Sequence, residues 1–231
     1  MKKNMSYWAI GILLVLIVLV LIAFASKGPS SSKAPSAESD SESAMRQSEH
    51  DKTEDDVHRY LQNQDEIMMN MEEEMESIPK TGNSSIDYLN GMIPHHESAI
   101  SMAESYLSYK GDSEKLRKMA ENMIAVQQKE IDHMKELTAK YESEGHLNAD
   151  KENAYLEEYD IMLDHNHQMD KSGVLSLEHA FAEGMIYHHQ MAIDMSRAIL
   201  DYTDYDEIRS LAQNIIDVQE QEIEELREFL H

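Results

Sequence analysis

Gly91-Met92-Ile93-Pro94-His95-His96-Glu97-Ser98-Ala99-Ile100-Ser101-Met102 returns 93 residues later as Gly184-Met185-Ile186-Tyr187-His188-His189-Gln190-Met191-Ala192-Ile193-Asp194-Met195. Read as a helix at about 100° per residue, Met92, His95 and Met102 fall within roughly 80° of one another, with His96 beside Met92 on the other side. One stripe therefore carries two thioethers and two imidazoles, and the chain carries that stripe twice. The match continues into the next helix at an offset of 92, where Leu116-Arg117-Lys118-Met119-Ala120-Glu121-Asn122-Met123-Ile124 answers Ile208-Arg209-Ser210-Leu211-Ala212-Gln213-Asn214-Ile215-Ile216. Gln127, Glu130 and Ile131 answer Gln219, Glu222 and Ile223. A duplication of this length sets the architecture before any single residue does.

Upstream of each copy lies a third helix. Residues 53–77 are helix formers that stop at Pro79, and Met68, Met71 and Met75 share one face. The second copy places Met162, His165 and Met169 at the same spacing. Exchanging a methionine for a histidine is informative, because the two differ as core fillers yet both bind soft or borderline metals. The predicted helices are 53–77, 85–109 and 113–144, then 148–170, 176–201 and 206–230, with Ser113 as a cap and Gly145 as a stop. Pro94 predicts a kink. Gly91 and Gly184 suit a close approach by a neighbouring helix. Nothing reads as a strand, so the expectation is an all-α bundle built from two three-helix repeats, 53–145 and 146–231.

The 231 residues contain no Cys, 17 Met and 12 His, with a net charge of −25. Disulfides and thiolate metal sites are excluded, and a surface this acidic is unsuited to nucleic acid. Lys2 and Lys3 precede 18 apolar residues from Trp8 to Ala25, which predicts a membrane anchor over 1–26, with cleavage near Ala25 as the alternative. Residues 27–52 are rich in Ser, Pro, Glu and Asp and read as a flexible tether. Either treatment of the N-terminus exports the acidic remainder from the cytoplasm.

The Gly-Met-Ile-Pro-His-His-x-x-Ala-Ile-x-Met stretch at 91–102, with its methionine-rich upstream helix and the downstream helix containing Gln127 to Met134, resembles the bacterial family called domain of unknown function 305. The resemblance covers roughly Tyr60 to Leu230, twice over. It implies a ferritin-like helical bundle and copper handling in the bacterial envelope. It points to Met92, His95, His96 and Met102, and to Met185, His188, His189 and Met195. Tyr187 in place of the proline, and Leu226 opposite Met134, depart from a strict repetition.

Methionine also fills irregular cores. That reading suits Met119, Met123 and Met134, which become Leu211, Ile215 and Leu226 in the second copy. Consecutive histidines on an apolar face are different, because buried imidazoles need partners, from hydrogen bonds or from a metal. Thioether plus imidazole without thiolate suits Cu(I), with Cu(II) possible and Ag(I) a mimic; zinc more usually recruits cysteine or carboxylate. Glu130 and Glu222 are candidate acceptors that orient the imidazoles. The expected function is an exported, membrane-tethered protein that buffers, stores or passes on Cu(I), with a metal ion and a copper-transfer protein as partners and no enzyme activity. Two alternatives stay open. One is a helical interaction module with a methionine-rich core; the other is a di-iron oxidase using Glu130 and His133, which lacks a matching histidine at Glu225. The stripes on the first and second helices of each repeat are expected to face each other within that repeat.

Overall fold

A computed structural model describes residues 38–109, 111–164, 171, 173–174 and 176–230. They form α1 (Glu38–Glu76), α2 (Ser84–Ser108), α3 (Glu114–Glu144), α4 (Ala149–Asp164), α5 (Leu177–Tyr202) and α6 (Asp206–Leu226), followed by a 3-10 turn at Arg227–Phe229. No strand occurs among the described residues. The chain divides into two units, Met1–Glu42 and Ser43–His231. The second unit holds both repeats, and the packing below is internal to it.

The six helices are those expected from the sequence, with one difference of extent. α1 starts at Glu38, so residues 38–52, expected as tether, continue the helix. No glycine or proline interrupts the chain between Pro35 and Pro79, and Ala44, Met45, Arg46 and Gln47 are good helix formers. The expected membrane segment lies outside the described residues; among the described ones, no helix is long and apolar enough to cross a membrane.

Local chemistry fixes the helix ends. The Asn83 side chain accepts from the Ser85 amide at the start of α2, Ser113 from Leu116 at the start of α3, and Ser176 from His179 at the start of α5, each satisfying an amide that lacks an intrahelical acceptor. Gly145 ends α3 at φ 66°, a left-handed conformation that a side chain would penalise. The helical assignment of α2 is unbroken across Pro94.

α2 and α5 run antiparallel along their length. Ser85 Oγ meets Thr203 Oγ1 at 2.7 Å and Tyr88 Oη meets Ser196 Oγ at 2.9 Å near one end, while Tyr106 stacks on Phe181 at 4.5 Å near the other. α3 packs antiparallel on α2 and α6 on α5, with Arg117 reaching the carbonyls of Leu107 and Tyr109 and Arg209 those of Leu200 and Thr203. α3 and α6 meet where Tyr141 stacks on Tyr205 at 3.8 Å. Both repeats therefore share one bundle.

Each outer helix packs on its own motif helix, α1 on α2 through Tyr60 on Tyr106 and Ser105 on Asn63 and α4 on α5 through Tyr155 on Tyr202, and also reaches the motif helix of the other repeat. Tyr159 of α4 sits against Gly91 of α2, where a Cβ would lie 2.7 Å from its hydroxyl. Gln64 of α1 sits against Gly184 of α5, where a Cβ would lie 1.8 Å from its amide nitrogen. The two glycines thus serve the close approach expected of them, but each admits a helix from the other half of the chain. Tyr159 is held in place by donating to the Met75 carbonyl at 3.0 Å, which ties α4 to α1.

Candidate metal centre

Antiparallel packing of α2 on α5 brings the two histidine pairs to the same level in mid-bundle. His95, His96, His188 and His189 are all fully buried. The His95 and His188 rings lie 3.8 Å apart, tilted by 39°. Four imidazoles in an apolar bundle are costly unless each polar atom is satisfied, so their partners decide the chemistry.

Every Nε2 has one. His96 Nε2 lies 2.9 Å from Glu130 Oε2 and His189 Nε2 lies 2.8 Å from Glu222 Oε2, so each ring donates to a carboxylate brought by the neighbouring helix. His95 Nε2 donates to the His188 carbonyl at 3.0 Å. His188 Nε2 lies 2.6 Å from Ser98 Oγ, whose own proton goes to the His95 carbonyl at 2.7 Å, so His188 is again the donor. All four rings therefore carry their proton on Nε2. None of the four Nδ1 atoms has a hydrogen-bond partner, and all are buried. Burial, reinforced by the neighbouring imidazoles, holds His95 and His188 well below the ordinary histidine pKa. They are neutral at physiological pH, each with an uncommitted lone pair on Nδ1. A ring fixed by an Nε2 proton on a carboxylate or carbonyl, with Nδ1 free, is the form in which histidine binds metal.

Thioethers flank this layer at both ends. Met92 and Met195 are buried in one core cluster with Met71, Met75, Met134 and Met191, while Met102 and Met185 are buried in the other with Met123 and Tyr60. Met68 is partly buried against both clusters and Met162 against the first. The α1 stripe reaches both clusters, Met71 and Met75 lying with Met92 and Met68 packing against the cluster that holds Met102. Across the repeats, Met92 shares its cluster with Met195, and Met102 with Met185. The reason is the antiparallel crossing, which sets the N-terminal half of one motif helix beside the C-terminal half of the other. His165 and Met169 lie outside the described residues. Among those described, no three histidine and acidic side chains are grouped as a metal site, so a coordination sphere based on this layer draws on the methionines or on other donors. His133 is turned outward, its side chain 39% exposed, whereas Glu130 faces His96.

The family model described as Domain of unknown function (DUF305) matches residues 31–138 and again 142–230. The chain belongs to this family. No curated protein matches it. Among solved structures, a silver-bound form of CopM obtained by soaking is 27% identical, with 63% of this chain and 93% of that one covered at a TM-score of 0.47. CopM in its Cu(II)-bound form is 26% identical, with coverage of 63% and 96% and a TM-score of 0.48. A DUF305 fragment from Deinococcus radiodurans is 20% identical, with coverage of 66% and 98% and a TM-score of 0.47.

Two features of this DUF305 chain could not be read from its sequence. Ser98 orients His188 across the repeats, yet in sequence it is one serine of the motif helix whose counterpart is Met191. Gln127 and Gln219, ambiguous in sequence, are buried in the bundle. Glu130 and Glu222 take the orienting role expected of them.

Proposed function

We propose that this chain binds copper through the buried histidine layer and the adjoining thioethers, with Cu(I) as the principal cargo. The observation that carries this reading is the set of four buried imidazoles whose Nε2 atoms are committed to protein partners and whose Nδ1 atoms have none. Each unpaired buried acceptor costs about 1–3 kcal/mol, which a bound metal would offset. The donor chemistry narrows the metal. His95, His96, His188 and His189 supply borderline nitrogen, Met92, Met102, Met185 and Met195 supply soft sulfur, and the chain has no Cys; that combination suits Cu(I), admits Cu(II), and takes Ag(I) as a mimic. Met71, Met75, Met68 and Met162, with His165 and Met169, are the further candidate donors from α1 and the α4 segment.

On this reading the protein is a non-enzymatic, ferritin-like bundle that buffers, stores or hands on Cu(I) outside the cytoplasm. It is tethered by the apolar segment from Trp8 to Ala25, and the acidic surface supports solubility there. The test is the double variant His95→Ala/His96→Ala, titrated with Cu(I) under reducing conditions while helicity is followed by circular dichroism. Loss of most bound Cu(I) with helicity retained is expected. Loss of helicity in the metal-free variant, with copper giving the parent no added stability, would return the histidines to a structural role.

A further inference from the structure

α3 and α6 each present a core seam of apolar residues broken by one amide. On α3 the buried positions run Ala120, Met123, Gln127, Ile131 and Met134, and on α6 they run Ala212, Ile215, Gln219, Ile223 and Leu226. Gln127 is 3% exposed and Gln219 2%. Both amide atoms of Gln127, and the oxygen of Gln219, are buried without a hydrogen-bond partner. A fold gains nothing from this: an amide in an apolar seam loses its water and recovers nothing until a partner arrives. Two seam positions change between the repeats, Met123 to Ile215 and Met134 to Leu226, while Ala120, Ile131 and the amide have identical counterparts. Its level is also fixed. Each glutamine stands one turn before the glutamate that accepts from a layer histidine, Glu130 for His96 and Glu222 for His189, and residues three apart share a helix face.

Resting on the copper reading above, we propose that Gln127 and Gln219 are oxygen donors of the centre, engaged by Cu(II) and idle toward Cu(I). An amide oxygen is a harder ligand than a thioether, so it favours the higher oxidation state, which seeks nitrogen and oxygen. The same bundle then holds both states of copper, the methionines serving one and the glutamines the other. No electron transfer is implied; the two states are bound as supplied.

The decisive variant is Gln127→Leu/Gln219→Leu, compared with the isosteric Gln127→Met/Gln219→Met. Without metal, the leucine variant should melt at least about 2 °C higher than the parent, since it removes unpaired buried amides. Its Cu(II) affinity should fall about tenfold or more while its Cu(I) affinity holds, which raises the potential of the bound couple by about 59 mV per tenfold change. The Cu(II) electron paramagnetic resonance spectrum should change in both variants, and the methionine pair should bind Cu(I) at least as tightly as the parent. A lower melting temperature for both metal-free variants would make the amides structural and overturn the proposal. So would an unchanged Cu(II) affinity and spectrum, or an equal loss of both oxidation states. A parent that binds neither Cu(I) nor Cu(II) sinks the copper reading itself, whereas a parent that binds Cu(I) with these outcomes sinks the glutamine assignment alone.

Discussion

Set beside each other, α2 and α5 differ in an orderly way. Gly91, Met92, His95, His96 and Met102 find the same residue types in Gly184, Met185, His188, His189 and Met195, whereas Asp87, Pro94 and Ser98 stand opposite Ala180, Tyr187 and Met191. The retained residues make the buried polar layer, its thioether flanks and the notches that admit an outer helix. The changed ones include the N-terminal hydrogen-bonding of α2 and the contact that orients a single imidazole. The two halves thus share a donor set and differ in how it is held.

The sharpest way to break that comparison is through the carboxylates. Glu130→Gln and Glu222→Gln should each lower copper affinity about 10–100-fold, because an amide acceptor fixes the ring less firmly than a charged one. Equal losses would support two equivalent half-sites. A loss confined to Glu130, which also accepts from Asn214 at 3.1 Å, would make the first repeat dominant.

Next in size are the notches. Gly91→Ala should destabilise the protein by about 1–3 kcal/mol in denaturant unfolding, since the methyl meets the rigid Tyr159 ring. Gly184→Ala meets the end of a flexible Gln64 side chain and should cost less. The reverse order would mean that α1 is the more tightly seated helix.

Ser98→Ala leaves the His188 Nε2 proton without its acceptor and should cost about 1 kcal/mol or somewhat more in the metal-free protein. Because Met191 supplies no such contact to His95, Met191→Ala should act only through packing. Equal shifts in copper affinity for the two variants would remove the orienting role of Ser98.

The smallest effect expected is a slope with pH. Asp87 accepts from the Thr81 amide and hydroxyl at 3.1 and 2.6 Å, while its other oxygen is buried without a partner. Burial, helped by the Glu152 carboxyl, pushes its pKa up from 3.8 to about 6. A group raised on folding stabilises fully below its unfolded pKa and loses that contribution as pH climbs through the folded value. The Asp87 contribution should therefore fade between about pH 4 and pH 7. Asp87→Asn, which brings the first repeat closer to Ala180 in charge, should flatten the difference in thermal stability over that range. A parallel pH profile for parent and variant would exclude it.

The helices were legible because their signals are local: Ser113 and Gly145 bracket α3, and Ser176 starts α5. The histidine pairs were legible because duplication singles them out. Crossing partners were not, since periodicity shows that Met102 faces inward without showing that Met185, rather than Met92, shares its cluster. Ser98 escaped notice for a related reason, as its acceptor role exists only once α5 lies antiparallel to α2. Residues 38–52 read as tether because low apolarity argues against burial, but it does not argue against a helix.

The reach of each outer helix onto the other half at Gly91 and Gly184 has a genealogical consequence. Each three-helix segment supplies the knob for the other's notch, Tyr159 for Gly91 and Gln64 for Gly184, as two identical subunits do around a twofold axis. The molecule is laid out as a homodimer fused into one polypeptide through Gly145–Asn148. Fusion frees the halves from identity, so that Ser98 can accept from one histidine while Met191 stands at the matching position, a difference that no symmetric dimer can encode.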